Sequence, residues 1–465
     1  MERIVADSPE GTQFVFLPGV YRTLEIVPKT GDVFIAKKGT ILSGARVVSE
    51  FSNDGSFDIA KITLVRGQLH GTCEKEAEAC QFPNDLFIDN VRQTPVFDKA
   101  AIMHGTFLMD YETGTLYLPA NSDLRNVEIA VARHAFAGKA ENVLIRGFVI
   151  EKYAIPAQMG AVGDNDHPSR WTVEDCEIRN NHGAGIQLGD FSRALNNFIH
   201  HNGQLGISGS GDYLMIEGNE ISFNNVAGFD GGWEAGGIKL SHSVHAIIRN
   251  NFSHHNSGAG LWTDIDNIDT LYEGNRVEDN SGPGIQHEIS FNAKIRDNWL
   301  ARNGFGFHVW GWGAQILIQN SSGVEVSHNH IVVANEGNGI SLIEQWRGDG
   351  KQSRYVVSNC YVHDNDIVME GRRGWASSLL ADYNASKILT SGNSFDHNKY
   401  FVSDLSARYW QWPLSRAISF GQLQKLYAQE IHGSLKNLAN NVRNDTPAHM
   451  WPRATKPVAG QNQHF

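Results

Sequence analysis

The sequence predicts an all-β solenoid, a parallel β-helix in which one chain winds coil upon coil. Three observations predict it. One phrase recurs between Asn180 and Asn365: an asparagine, a glycine shortly after it, an aliphatic residue, then alternation. Clear copies are Asn181-His182-Gly183-Ala184-Gly185-Ile186, Asn256-Ser257-Gly258-Ala259-Gly260-Leu261, Asn280-Ser281-Gly282-Pro283-Gly284-Ile285 and Asn303-Gly304-Phe305-Gly306-Phe307. Its asparagines, Asn181, Asn202, Asn224, Asn256, Asn280, Asn303, Asn335 and Asn365, are spaced by 21, 22, 32, 24, 23, 32 and 30 residues. A fixed period of this size marks a repeat array whose coils stack, with the longer spacings as loops. Each repeat also offers only a short strand-like stretch, and Gly-Ile-x-Leu-x has the period of two that a strand requires. The Leu-x-x-Leu-x-Leu spacing of a leucine-rich horseshoe is absent. Asparagines stacked at one turn can hydrogen-bond along a ladder, which explains why they recur.

The elements follow in order. Residues 1–50 hold the first coils, with Thr12-Gln13-Phe14-Val15-Phe16-Leu17, Asp32-Val33-Phe34-Ile35-Ala36 and Thr40-Ile41-Leu42-Ser43-Gly44 as strands between Pro/Gly turns. Residues 51–128 lose the repeat. They read as a β-rich insertion with a hairpin, Thr106-Phe107-Leu108-Met109-Asp110 and Thr115-Leu116-Tyr117-Leu118, and a loop flanked by Cys73 and Cys80. The main array occupies 129–404. Its long coils fall at Asp164 to Arg170, Phe229 to Gly236, Trp310 to Ser322 and Gln345 to Tyr355, and three of these carry tryptophan beside charge. Residues 405–465 are a cap and tail: the stretch from Ser419 to Tyr427 has helical spacing and a serine start, suited to covering the open end of the array.

Composition narrows the function classes. The 465 residues carry 47 glycines and a net charge of -12, with no basic stripe, which argues against nucleic acid as partner. No apolar run is long enough for a membrane span, and Met1-Glu2-Arg3 leads into polar sequence without a signal peptide. The Cys73/Cys80 spacing suits a small disulfide loop in an exported protein. Cys176 and Cys360 read as buried thiols, and no His/Cys spacing resembles a zinc site.

The stretch from about 130 to 402 resembles the right-handed parallel β-helix repeat superfamily, pectate-lyase-like in architecture, through segments such as Gly258-Ala259-Gly260-Leu261-Trp262-Thr263-Asp264-Ile265-Asp266-Asn267 and Gly284-Ile285-Gln286-His287-Glu288-Ile289-Ser290. It is most similar to bacterial secreted members. The resemblance implies a right-handed solenoid, action on carbohydrate, and a secreted or periplasmic location, with the signal peptide absent from this sequence. The superfamily holds lyases, hydrolases, epimerases and non-catalytic binders, so the chemistry must come from the residues.

The repeat supplies a register. In Gly237-Ile238-Lys239-Leu240-Ser241, Ile238 and Leu240 point inward, so Lys239 and Ser241 point outward. Extended to successive coils, this frame gives one outward column of Gln187, Ser208, Lys239, Trp262, Gln286, His308 and Ser341, and a second of Ser241, Asp264, Glu288 and Trp310. Asp264 and Glu288 then stand one rung apart. Adjacent like charges on paired strands are destabilising unless compensated, so the pair reads either as a ladder balanced by Lys239 or as a catalytic pair.

Two carboxylates flanking a sugar are the minimum for glycosidic hydrolysis. Asp264 and Glu288 are the expected pair, at a spacing that suits a retaining enzyme; Asp266, Asp230 or Glu234 would give a wider one. Trp262, Trp310, Trp233 and Trp312 are expected as sugar platforms. Gln286, His308, Glu344, Trp346 and Arg347 are expected along the substrate, and His287, inward by the register, behind Glu288. Hydrolysis requires no cofactor. The alternative is a lyase or C5-epimerase on a uronate polymer, with Lys239 as base, Arg347 as carboxylate clamp and Asp230, Glu234 and Asp264 available for Ca²⁺. A third reading, a non-catalytic glycan binder, predicts aromatics without the close carboxylate pair. In each case the partner is a poly- or oligosaccharide; the oligomeric state is left open.

Overall fold

In the computed structural model, described for residues 1–166, 168–305, 309–347, 354–383, 385–414 and 417–440, the chain is a solenoid of three long sheets. They contain 12, 13 and 11 strands and are parallel except for one antiparallel pair at the end of the third. Each regular coil gives one short strand to each sheet, so neighbours in a sheet are neighbours in the repeat. The first coils are built by Gln13–Phe16, Gly19–Arg22, Val33–Ala36 and Thr40–Ser43, of which the last two pair directly with strands of the main array. The interior is a stack of aliphatic columns. One runs Ile186, Ile207, Ile238, Leu261, Ile285, Ile316 and Ile340, each essentially inaccessible to solvent. Burial of each such side chain contributes about 1.5–3 kcal/mol.

Asparagine ladders pin the corners, but there are two where the sequence suggests one. In the first, Asn181, Asn202, Asn224, Asn256, Asn280 and Asn303 each donate Nδ2 to the Oδ1 of the next at 2.8–3.0 Å. Asn303 passes its donor to Gln315, not to Asn335. Asn365 belongs to the second ladder, Asn197, Asn219, Asn251, Asn275, Asn298, Asn329, Asn365 and Asn398, which ends on the carboxylate of Glu430. Each rung satisfies donors that would otherwise be stranded in a buried turn.

An eight-stranded sheet spanning Ala45 to Ala130, antiparallel except where Thr106–Asp110 pairs with Val91–Pro95, forms the insertion, with its own small core around Leu86, Phe107, Leu116 and Ile129. It includes the expected hairpin, Thr106–Asp110 with Thr115–Pro119. Cys73 and Cys80 are disulfide-bonded, while Cys176 and Cys360 are buried free thiols. At the far end Phe420–Tyr427 is helical under a Ser419/Gln422 capping box and sinks Leu423 into the solenoid core. At the near end a short helix, Glu2–Asp7, does the same with Val5, which the polar N-terminal sequence gives no reason to expect. No helix of the described residues is long and apolar enough to cross a membrane.

Candidate active site

The strands that carry the outward residues are Leu205–Ser210, Gly236–Ser241, Ala259–Asp264, Ile285–Glu288, Ala314–Gln319 and Asn338–Glu344. Their register stacks Ser208, Lys239, Trp262, Gln286, Leu317 and Ser341 in one column, and Ser241, Asp264, Glu288, Gln319 and Ile343 in the next. The predicted columns are correct up to Gln286 and Glu288 and fail at the next coil. The reason is the extra length of chain between Asn303 and the strand that begins at Ala314. Leu317 takes the rung expected for His308, and Gln319 that expected for Trp310. His308 itself lies outside the described residues.

Above these rungs is a cleft of about 410 Å³. It is lined by the strand residues Trp262, Gln286, Glu288, Leu317 and Gln319 together with Gly231, Gly232, Pro283, Trp312, Gly313 and Arg347 from the connecting segments. Two ion-paired groups sit side by side here. The ammonium of Lys239 lies 3.0 Å from Asp264 Oδ2 and 3.5 Å from Glu234 Oε2, and donates to the Trp233 carbonyl at 3.0 Å. It also rests 3.9 Å above the Trp262 ring, a cation–π contact. One rung away, Glu288 is ion-paired with Arg347 and accepts from Gln286 Nε2 at 2.9 Å. Gln286 also donates to Gln319 Oε1 at 3.3 Å, and Gln319 to Gln345 at 2.9 Å, so Glu288 sits at the end of an amide chain that fixes its rotamer.

Burial, and then the negative charge of Asp264, push the carboxyl of Glu288 above its ordinary range; Arg347 and Lys239 pull the other way and do not cancel the rise. Asp264 instead faces the Lys239 cation directly. Two neighbouring carboxyls with different environments are what acid–base division of labour requires.

Of the residues singled out in the sequence, Trp262, Gln286, Glu288, Trp312 and Arg347 line the cleft, while Asp264 and Lys239 stand on the neighbouring rungs outside its lining, with Glu234 joined through Lys239. Others do not. Asp230 spends its carboxylate as the N-cap of Gly231–Glu234, accepting from Gly232 N at 2.7 Å. Trp233 packs on His70 and Phe229 beneath the insertion instead of facing the cleft. Asp266 is at the corner after the strand, where a left-handed backbone turns it toward Arg354 and the Tyr355 hydroxyl. His287 points into the solenoid, fully buried, with Nδ1 2.7 Å from Thr263 Oγ1, so it can touch neither substrate nor the Glu288 carboxylate face. Trp310 packs with Trp312 over Leu317, Ile343 and Leu380. Glu344 is inward and accepts from Val357 N at 2.8 Å, which makes it a corner brace and not a subsite wall. Trp346 is exposed beside Tyr383, away from the cleft lining.

The sequence reading missed Leu317, Gln319, Pro283 and Gly313. The alternation in Ala314-Gln315-Ile316-Leu317-Ile318-Gln319 was the available signal for the first two. It also missed what holds the cleft's near wall. The disulfide loop docks on the Gly228 to Glu234 turn through Glu74 N to Gly228 O at 2.9 Å and Asp230 N to Thr72 O at 2.9 Å, and through Gly231 N to Glu74 Oε1 at 3.2 Å. Beneath it, Asp85 pairs with Arg92 and with His182, whose Nε2 contacts the Cys80 carbonyl at 2.8 Å. The insertion thereby positions the turn that supplies Glu234 and the Trp233 carbonyl to Lys239.

The donor set proposed for Ca²⁺ does not assemble. Asp230 is committed to its helix cap, and Glu234 and Asp264 face each other across the Lys239 ammonium, which occupies the place a cation would take.

The family model described as a right handed beta helix region matches residues 162–322. Among solved structures, the chain is similar to XylC in complex with xylose, at 15% identity and a TM-score of 0.65, covering 94% of this chain and 82% of that one. It is also similar to the A-module of the Azotobacter vinelandii mannuronan C-5 epimerase AlgE4, at 10% identity, TM-score 0.49, and coverage of 92% and 89%. A mannuronic acid specific polysaccharide family 6 lyase from human gut microbiota follows at 13% identity, TM-score 0.47, and coverage of 94% and 88%. No curated protein matches the sequence at a significant level. The family match and the likeness to XylC fit the geometry described above: the fold is the right-handed parallel β-helix.

Proposed function

We propose that the protein is a carbohydrate-active enzyme, a glycoside hydrolase that cleaves a neutral poly- or oligosaccharide in the cleft over Asp264 and Glu288. The observation that carries this reading is the pair itself: Glu288, with its proton held more tightly than usual, lines an aromatic-walled cleft, and Asp264 stands one rung away at its edge. Adjacent rungs are about 4.8 Å apart, in keeping with the roughly 5–5.5 Å of a retaining pair. Glu288 acts as general acid, passing its proton to the leaving glycosidic oxygen. Asp264 attacks the anomeric carbon and forms a glycosyl ester. Water, deprotonated by Glu288, then displaces the ester and regenerates both groups. Trp262, Trp312, Pro283 and Leu317 offer the apolar surface on which a sugar ring rests.

Neutral substrate follows from charge. Lys239 is already shared between Asp264 and Glu234, and Arg347 is paired with Glu288. Two carboxylates share Lys239, and Arg347 is already hydrogen-bonded to the Glu288 carboxyl, so a uronate carboxylate finds no cation without a partner among the described lining residues. The same accounting weighs against the lyase or epimerase alternative, in which Lys239 must lend a lone pair as base and Arg347 must clamp the substrate. The disulfide in the insertion fits export to an oxidising compartment. The reading requires no metal.

A panel of neutral and uronate polysaccharides, led by xylan because the similar XylC structure holds xylose, tests it. Release of reducing ends that is lost in Asp264→Asn and Glu288→Gln and persists in EDTA supports hydrolysis. Ultraviolet absorbance of an unsaturated uronate, or exchange at C5 without cleavage, assigns the lyase or epimerase reading instead. Binding without turnover of any glycan leaves only the non-catalytic reading.

A further inference from the structure

Outside the cleft, folding assembles a donor group that sequence spacing conceals. Asp396 ends the strand Ser394–Asp396, His397 follows it, and His432 arrives from the terminal segment, 36 residues beyond Asp396. The Asp396 carboxylate already organises the trio. It accepts from His397 N at 2.9 Å and from His432 N at 2.7 Å, and its Oδ2 lies 2.7 Å from His432 Nδ1 and 3.8 Å from His397 Nε2. One ligand atom from each residue falls within 4.8 Å of the others, and this is the one such group among the described residues.

We propose that Asp396, His397 and His432 form a site for a late first-row divalent cation of the Zn²⁺ class, which ties the terminal segment to the last full coil. Two imidazoles and one carboxylate are a borderline-soft donor set that suits Zn²⁺ and its neighbours and disfavours Ca²⁺ or Mg²⁺, which prefer oxygen. The imidazoles stack nearly parallel, 10° apart with centroids at 4.7 Å, so both cannot aim at one ion as they stand. Closure requires one ring to turn. Both histidine side chains are about half exposed or more, at 48% and 63%, so little packing opposes the turn and water can complete the coordination. The consequence is structural. His432 precedes Ser434–Asn437, the strand that extends the second sheet by pairing with Lys399–Val402 at the open end of the solenoid. An ion held by both segments stabilises the paired state over the frayed one, because only the folded chain presents all three donors together.

The test is calorimetric titration of the full chain, without a histidine tag and after treatment with EDTA, with Zn²⁺ and separately with Ca²⁺. The expected result is one saturable Zn²⁺ site per chain, a rise in thermal unfolding temperature on loading, and no response to Ca²⁺. His397→Ala, His432→Ala and Asp396→Asn should each abolish saturable binding and the thermal shift. The control is His254→Ala with His255→Ala, which removes an adjacent imidazole pair elsewhere in the solenoid, one buried and one exposed, whose Nδ1 atoms lie 2.9 Å apart and should leave both intact. Circular dichroism of each variant verifies folding. Absence of a saturable Zn²⁺ site in the parent chain, or one that survives in the His397→Ala/His432→Ala double variant, overturns the assignment.

Discussion

Lys239 Nζ stands 3.0 Å from Asp264 Oδ2 on the neighbouring rung, and that contact is what allows a second carboxylate, Glu288, to occupy the rung after it. Without the ammonium, Asp264, Glu234 and Glu288 would share a largely buried patch with Arg347 as the sole counter-charge among the described contacts. Removing one partner of a buried pair costs about 3–5 kcal/mol, because the other charge is left uncompensated. Lys239→Met is therefore expected to lower stability by that order and to abolish turnover. Lys239→Met combined with Asp264→Asn should recover much of the stability and none of the activity. Denaturant unfolding of the single and double variants, read beside kcat/KM, checks this.

The Glu288 and Arg347 pair makes a prediction about pH. Burial and the Asp264 charge raise the Glu288 carboxyl, while Arg347 opposes the rise. A general acid works only while protonated, so the basic limb of the rate profile falls as pH climbs through the pKa of Glu288. Removing Arg347 removes a lowering influence. Arg347→Ala should shift the basic limb of kcat to higher pH, and a limb that stays in place or moves to lower pH would exclude Glu288 as the acid.

The insertion reaches the chemistry through the disulfide loop. Cys73 and Cys80 brace the segment that docks on the Gly228 to Glu234 turn, and that turn gives Lys239 its contacts to Trp233 O and Glu234. Loss of so short a crosslink costs about 2–3 kcal/mol by the chain-entropy estimate, and the cost falls on the insertion. The Cys73→Ser/Cys80→Ser variant should keep the cooperative unfolding of the solenoid while kcat/KM drops about tenfold or more, a loss of about 1.4 kcal/mol in transition-state stabilisation. Equal activity in reduced and oxidised protein would disconnect the insertion from the site.

The cleft was legible in the sequence only as far as the period held. Lys239, Trp262 and Gln286 follow one another at 23 and 24 residues, so alternation alone carried the outward frame from rung to rung. The coil after Asn303 carries extra residues before its strand at Ala314, so a frame propagated by counting reaches His308 and Trp310 in place of Leu317 and Gln319. Parity survives such slips within a strand: His287 was read as inward and is inward. Contacts between segments far apart in the chain, such as Thr72 with Asp230 or Asp85 with His182, leave no periodic trace, so the clamp from the insertion was invisible. The single asparagine series was two ladders because both corners use the same residue for the same reason.

His287 lends itself to the most quantitative of these tests. It lies inside the solenoid directly behind the carboxylate rungs, hydrogen-bonded to Thr263, which in turn meets the Tyr272 hydroxyl at 2.6 Å; its Nε2 has no partner. Burial pushes the imidazole down to about 3, from the 6.5 of a free histidine. The folded protein therefore keeps His287 neutral while the unfolded chain takes up a proton below pH 6.5. The unfolded state binds more protons, so stability falls as pH drops through 6.5 and continues to fall until the folded pKa near 3 is reached. Between neutrality and pH 5 this one group should cost about 2 kcal/mol, the gap of 1.5 pH units at about 1.4 kcal/mol each. His287→Gln keeps a polar side chain and does not titrate. Its stability at neutral pH should be lower, because packing and the Thr263 contact are disturbed, yet its loss on going to pH 5 should be smaller than the parent's by about 2 kcal/mol. Denaturant unfolding of both proteins at the two pH values measures the difference directly. Parallel losses in parent and variant would mean that His287 is protonated in the folded state, and with it that the solenoid interior behind Asp264 and Glu288 admits charge.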